Sequence, residues 1–372
     1  MHVALIQEAL PQYRRPLFDL IAGRHRVSFF FTNATQAPLP RGSVTVKGFR
    51  IPEMSDYVIA PGLFRELARA QESDPFDVVL LPDLGYFSCH VSWLFSRSFR
   101  IPYVLWTGEW FPVRHPRRWA MRPLERAIAN GAAACLAYGS RAEQRLRELG
   151  VAPERVRVTG NANDYCFSRP PQGELDQLRR EWLIHDRQIV LFLGRLVRFK
   201  GPDLLLDAFA GIGPERGLSL VLAGQGPELR SLQERARRRG VENVHFTGRA
   251  VEGRHEKDLL YGLASVFVLP SRRGRIAEPW GLVLNEAASA SLPIVTTQWA
   301  GAVGDLIRDR ETGFVVSSED AKSLRATLLD IRDHPRQAQE LGLRAREAAM
   351  PFTIERMADA FDWGIESAAA RT

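Results

Sequence analysis

Short, uninterrupted apolar runs, each followed by a segment with helical spacing, recur along the whole sequence. In the first half they fall at 3–6, 27–31, 78–81, 103–106 and 133–137; in the second, at 189–193, 218–223, 244–247, 266–269, 294–297 and 314–316. A strand that does not alternate apolar with polar residues has no face to offer to water. Such strands, joined by helices, predict parallel sheets covered on both faces, the α/β class. The 372 residues are enough for two domains of this kind. A break is expected within 167–187, where Pro170, Pro171 and Gly173 precede a polar helical stretch, giving domains over 1–166 and 167–350. Ser140 and Glu143 have capping-box spacing, Gly150 closes the helix that follows, and Pro202 after Gly201 marks another helix start. A last helix is expected over 353–369.

Composition narrows the function. Hydrophobic residues make up 45% and charged residues 25%, which excludes a disordered, collagen-like or disulfide-stapled chain. The net charge of +7 favours anionic partners: phosphates, acidic lipid surfaces or nucleic acid. No helix-turn-helix, zinc module or stacking-aromatic signature accompanies that charge, so nucleic acid is not an expected partner. The cations are nearly all arginine; only Lys47, Lys200, Lys257 and Lys322 are lysines. Cys89, Cys135 and Cys166 form neither a C-x-x-C pair nor a Cys/His cluster, and are expected to be small core residues in a reducing cytoplasm. The chain opens on a strand without a signal-peptide pattern, and no run of 18 apolar residues could span a bilayer.

Three motifs carry chemistry. Gly194-Arg195-Leu-Val-Arg-Phe-Lys200-Gly201 lies between a strand and a helix. Gly194 permits a tight turn, Arg195 offers a planar fork, Lys200 a compact charge, and the helix start adds N–H groups, a set that can bind a diphosphate. Two solvated surface cations would read the same. Gly224-Gln-Gly226-Pro-Glu-Leu229 begins like a dinucleotide fingerprint, but Leu229 stands where the third glycine belongs, so nicotinamide is rejected in favour of a loop touching another ligand. Glu278 and Glu286, in an E-x7-E pattern, flank a helix start; they can accept hydrogen bonds from hydroxyls, or be an ordinary acidic helix start.

In this order, Gly194-Arg195…Lys200-Gly201, Gly224-x-Gly226-Pro227, Phe246-Thr247-Gly248, Pro270-Ser271…Glu278…Glu286 and Gly313-Phe314-Val315 resemble the family-4 retaining glycosyltransferases of the GT-B fold. The resemblance covers 160–316; the first half matches more loosely, through Asn161-Ala162-Asn163-Asp164 and the opening strand. It implies two Rossmann-like parallel-sheet domains facing a central cleft, with the last helix packing back on the first domain. It also implies transfer of a sugar, with retention, from a nucleoside-diphosphate sugar to a hydroxyl of a glycan or lipid-linked saccharide, without metal or resident cofactor. Arg195 and Lys200 would hold the donor diphosphate, Glu286 the ribose hydroxyls, and Glu278 the transferred sugar. Gly194, Gly224, Gly226, Gly248, Arg249, Gly281 and Leu282 would complete the donor site.

Two stretches depart from the family. Residues 8–16 lack its glycine-rich loop, and Tyr13, Arg14 and Arg15 read either as phosphate or acceptor contacts or as a basic helix start, with Asn163 also on the acceptor side. Trp106-Thr-Gly-Glu109-Trp stands where many members have a histidine, which makes Glu109 a candidate acceptor-side base or sugar contact. Arg114, Arg117, Arg118, Arg122 and Arg126, interleaved with Trp119 and Leu124, read as a docking strip for anionic lipid on the inner membrane face, as a site for a pyrophosphate-linked lipid acceptor, or as a solvated helix face packed through Trp119 and Leu124. Arg272, Arg273 and Arg275 precede Glu278 and read either as anion ligands or as a surface loop. The competing functions on the same plan are a sugar-nucleotide epimerase, a phosphorylase and a non-catalytic nucleotide-sugar-binding homologue.

Overall fold

The computed structural model of the protein describes residues 1–33, 38–51, 54–112, 116–186, 188–251, 253–274 and 276–371. Arg114, His115, Arg187 and Arg275 lie outside them. The chain divides into two compact units, Met1–Asp164 with Phe352–Thr372, and Tyr165–Pro351.

The first unit holds β1 (His2–Gln7), β2 (Arg26–Phe31), β3 (Val44–Thr45), a hairpin of β4 (Phe49–Ile51) and β5 (Met54–Ile59), then β6 (Val78–Leu81), β7 (Tyr103–Thr107), β8 (Ala134–Ala137) and β9 (Val156–Val158). Its main sheet is parallel, in the order β3-β2-β1-β6-β7-β8-β9. β6, β7 and β8 are buried along their whole length, as an apolar run without alternation requires. The strands not anticipated are β3, β4, β5 and β9. Of these, β3 and β9 are short edge strands, half-buried to exposed, so they need no apolar run. The helix Ile354–Ala369 belongs to this unit, buries Ile354, Met357, Phe361 and Ile365, and sets the Phe361 ring 4.9 Å from Trp106. Gly364 allows that close approach, because a Cβ there would already lie 3.2 Å from Val104. The Thr353 hydroxyl caps the helix by accepting from the Arg356 N–H.

The second unit carries β10 (Gln188–Leu193), β11 (Leu218–Ala223), β12 (Val244–Phe246), β13 (Val266–Leu269), β14 (Ile294–Thr297) and β15 (Phe314–Val316), all parallel, in the order β12-β11-β10-β13-β14-β15. Each corresponds to a predicted run. In both sheets the strand order reverses beside the first strand, between β1 and β6 and between β10 and β13. Ligands of open parallel sheets bind at the strands' carboxyl ends at such a point.

Two local expectations need correction. The helix Ser140–Glu148 has Gly139 in extended conformation at its N-cap, so Ser140 is its first residue rather than the cap. Cys89 and Cys135 are buried, but Cys166 is exposed; it lies in the irregular connection before the helix Gln172–Glu181, outside either core.

Candidate active site

In the second unit the loops after β10, β11, β12 and β13 are tied together by contacts that exclude side chains. Gly194 follows β10 with φ 151° and Gly224 follows β11 with φ 141°. A Cβ on Gly224 would fall 2.0 Å from the Gly194 carbonyl oxygen, and one on Gly226 would fall 2.3 Å from that of Leu196. The Gly194 N–H donates to the Ala223 carbonyl (3.0 Å), and the Leu196 N–H to that of Gln225 (2.9 Å). The Gly224 N–H donates to Thr247 Oγ1 (2.9 Å), which joins the loop after β12. Gly201, at φ 73°, brings in the loop after β13: a Cβ there would be 2.0 Å from the Pro270 carbonyl oxygen.

On this frame Lys200 Nζ stands 3.0 Å from Glu278 Oε2, and 3.8 Å from where a Gly194 Cβ would be. The lysine side chain therefore lies across the glycine turn, beside the carboxylate. Arg195 is exposed and makes no ion pair among the described residues. Glu278 is only 7% exposed. Its backbone is fixed by a donation from its N–H to the Trp299 carbonyl (3.2 Å) and by acceptance from the Gly301 N–H (2.9 Å). The buried Trp280 donates from Nε1 to Asn285 Oδ1 (2.8 Å), and Gly281, at φ 93°, starts the helix Leu282–Ser289.

Glu286 is 3% exposed and lies just over one turn into that helix. Lys257 Nζ donates to its Oε1 (2.7 Å) and Tyr261 Oη to its Oε2 (2.9 Å). Neither partner was anticipated. The available signal was a rare lysine four residues before a tyrosine, a spacing that puts both on one helix face.

Other predicted residues hold different posts. Gly248 is exposed, and Arg249 pairs with Glu256 (2.5 Å). Arg272 is engaged with Asp203 (2.9 Å) and Glu319 (2.6 Å), so it ties loops together; Arg273 is exposed, 5.7 Å from the Trp299 ring.

In the first unit Tyr13 and Arg14 sit in a short 3-10 turn following β1, before the helix Arg15–Arg24, so the basic helix start is real. Tyr13 is exposed. Arg14 is 5% exposed, its guanidinium 4.7 Å from the Trp106 ring centroid and 5.4 Å from that of Tyr138. Arg15 pairs with Asp19 (2.8 Å) and donates to the Pro38 carbonyl. Asn163 is half-buried. Trp119 is 69% exposed, against the packed role considered for it, while Leu124 packs on the core and Arg122 and Arg126 are exposed.

Arg118 instead points inward. It bonds to Glu109, lies 3.2 Å from Glu125, and donates to the Leu84 carbonyl. Asp83, after β6, accepts from Thr107 Oγ1 (2.9 Å) and the Gly108 N–H (3.0 Å), fixing the turn that presents Glu109. Burial raises the Asp83 carboxyl above its usual range. Burial also pushes Glu109 up to about 7, against the attraction of Arg118. The folded protein thus holds this proton more tightly than the unfolded chain, whose glutamate titrates near about 4.3. The contribution is complete below that pH and is lost as pH rises through about 7. Glu109→Gln should remove this slope. In melting curves from pH 4 to 8, wild type should lose ground to the variant as pH rises; parallel curves would contradict the assignment.

Two family models cover most of the chain. Residues 175–348 match "Glycosyl transferases group 1", and residues 13–162 match "Glycosyl transferase 4-like domain". The chain belongs to the group 1 glycosyltransferases. This glycosyltransferase is 29% identical to a D-inositol 3-phosphate glycosyltransferase of Thermomonospora curvata, over 89% of the chain and 85% of the relative. It is 33% identical to a GDP-mannose-dependent alpha-(1-6)-phosphatidylinositol monomannoside mannosyltransferase of Mycolicibacterium smegmatis, over 47% of the chain and 46% of that relative. Among solved structures, Anabaena Alr3699/HepE in complex with UDP superposes with a TM-score of 0.77 at 18% identity, covering 98% of this chain and 99% of that one. Sucrose-phosphate synthase from Thermosynechococcus elongatus gives 0.76 at 20% identity, with full coverage of both chains. At these identities the structural likeness establishes the fold, which is GT-B.

Among the described residues, no helix is long and apolar enough to cross a membrane.

Proposed function

We propose that this glycosyltransferase moves a sugar from a nucleoside-diphosphate sugar to a hydroxyl of a cell-surface glycan or lipid-linked saccharide, with retention and without a metal ion. The observation that carries the reading is the Lys200–Glu278 pair at 3.0 Å, set on the glycine frame at the carboxyl ends of β10 and β13. An ammonium held in place before the donor arrives needs little reorganisation when charge develops beside it. As the bond from the sugar's anomeric carbon to the diphosphate breaks, its electron pair stays on the diphosphate oxygen. Arg195 and Lys200 stabilise that growing charge more than they stabilise the ground state. The acceptor hydroxyl attacks the same face of the sugar, and its proton passes to the departing diphosphate oxygen, so no enzymic nucleophile is required. Glu278 contacts hydroxyls of the transferred sugar and Glu286 those of the ribose. Tyr13 and Glu109 stand on the acceptor side.

The curated relatives include a GDP-mannose-dependent enzyme, and a solved neighbour was obtained with UDP, which supports a nucleotide-sugar donor without choosing the base. A melting-temperature screen with UDP, GDP, ADP and TDP should single out one nucleotide. A ligand at a hundred times its Kd stabilises the folded state by about 2.7 kcal/mol. With the matching sugar nucleotide, nucleoside diphosphate should be released only when an acceptor is present. Release that requires inorganic phosphate would mark a phosphorylase, and isomerisation of the donor without release an epimerase.

A further inference from the structure

Only four lysines occur in this arginine-rich chain, and two of them pair with the two glutamates of the E-x7-E motif: Lys200 with Glu278 at 3.0 Å and Lys257 with Glu286 at 2.7 Å. The first pair belongs to the reading above. The second has a separate geometry. Lys257 and Tyr261 lie four residues apart on the helix Arg254–Leu263, hence on one face. They reach different oxygens of one carboxylate, the amine taking Oε1 and the phenol Oε2 (2.9 Å). Their helix follows the loop after β12, and Glu286 lies near the start of the helix that follows β13. Both helices therefore begin at the carboxyl edge of the sheet, with Lys257 in the first turn of one and Glu286 just over one turn into the other.

The next residue anchors the same helix. Asp258 accepts from Tyr165 Oη (2.7 Å) and from the Ser168 N–H (3.1 Å), and the Lys257 ammonium lies 5.4 Å from the Tyr165 ring centroid. Lys257 is thus held on a stiff support while it orients a buried carboxylate. Contacts to both oxygens define the plane of that carboxylate. A carboxylate has about four acceptor sites, so it can receive a hydroxyl on each oxygen while amine and phenol hold it.

We propose that Lys257 is a positioning residue for recognition of the donor's ribose: it sets the plane in which Glu286 accepts the ribose hydroxyls. This rests on the donor reading given above. The consequence is a specific one. Lys257 contributes to the preference for a ribonucleotide over its 2′-deoxy counterpart, and contributes less to binding of the diphosphate, which other residues hold.

The test compares Kd values of UDP, GDP and ADP with those of dUDP, dGDP and dADP, measured by calorimetry on the full chain. Wild type should prefer the ribonucleotide by on the order of tenfold, the scale of a hydrogen bond to a charged group. Lys257→Met should reduce that preference to about twofold or less while dUDP, dGDP or dADP binds nearly as in wild type. Lys257→Gln is measured alongside, so that a folded variant is in hand if the methionine variant does not fold. A wild-type preference retained in either folded variant overturns the proposal, even if its melting temperature falls, because that is what a purely structural tie predicts. Two controls separate this failure from others. No nucleoside diphosphate binding to wild type would sink the donor reading itself. A full preference in Glu286→Gln would remove the ribose role of Glu286, and the proposal with it.

Discussion

Replacing Lys200 with alanine lowers kcat/KM for sugar transfer by on the order of 10²–10³, and Arg195→Ala does the same, if these cations carry the leaving diphosphate. The two substitutions differ in their side effects. Arg195 is exposed and makes no ion pair among the described residues, so its loss should leave the melting temperature nearly unchanged. Lys200 pairs with a glutamate that is 7% exposed, and removing one partner of such a pair leaves a charge in a poorly solvated place. Lys200→Ala should therefore also destabilise, and Lys200→Arg should restore the charge without restoring the rate, because a planar fork does not reproduce the compact point charge of an ammonium. A change below about threefold in donor turnover for both alanine variants would refute the electrostatic role, since loss of a preorganised donor is worth far more than that.

Gly224→Ala is expected to cost about 2–5 kcal/mol of stability, combining a left-handed backbone penalty with a clash that only a backbone shift relieves. The obstacle is the Gly194 carbonyl oxygen 2.0 Å from the new Cβ, and a backbone atom cannot rotate aside as a side chain can. Any relief must pull β10 and β11 apart at the ends that carry Gly194 and Gly224, so nucleoside diphosphate affinity should fall with the melting temperature. Gly173→Ala is the control: it has open space around its Cβ and ordinary φ, and should be close to neutral. Equal denaturation midpoints for the two variants would show that the loop contact is softer than its geometry.

The second unit was legible in the sequence almost in full, and the reason is burial. β10, β11, β13 and β14 are covered on both faces, so each had to be written as an unbroken apolar run. The edge strands β3 and β9 pair on one side only and are partly exposed, and no such demand applied to Val44–Thr45 or Val156–Val158. Gly201, Gly224 and Gly226 were legible for a related steric reason: no other residue fits where two backbones touch. Side-chain direction was not. Arg118 stood in a run of arginines that looked uniform, yet it turns inward to Glu109 and Glu125, while its neighbour Trp119, which the sequence left open to either packing or surface docking, is exposed. Helical spacing fixes which residues share a face, but a short basic helix with charges on several faces does not say which face meets a buried carboxylate. Lys257 was hidden differently: its partner lies 29 residues away, and only the fold brings them together.

The helix Ile354–Ala369 joins the first unit although the whole second unit precedes it in the chain. During synthesis, at about 5–20 residues per second, β7 and β8 emerge well before the segment that covers Val104, Trp106 and Leu136 on one side of their sheet. The later lobe can be finished while the earlier one still shows bare hydrocarbon to the medium. The nascent protein therefore passes through an interval, tens of seconds long at the slower of these rates, in which its leading half is sticky and a chaperone has something to hold.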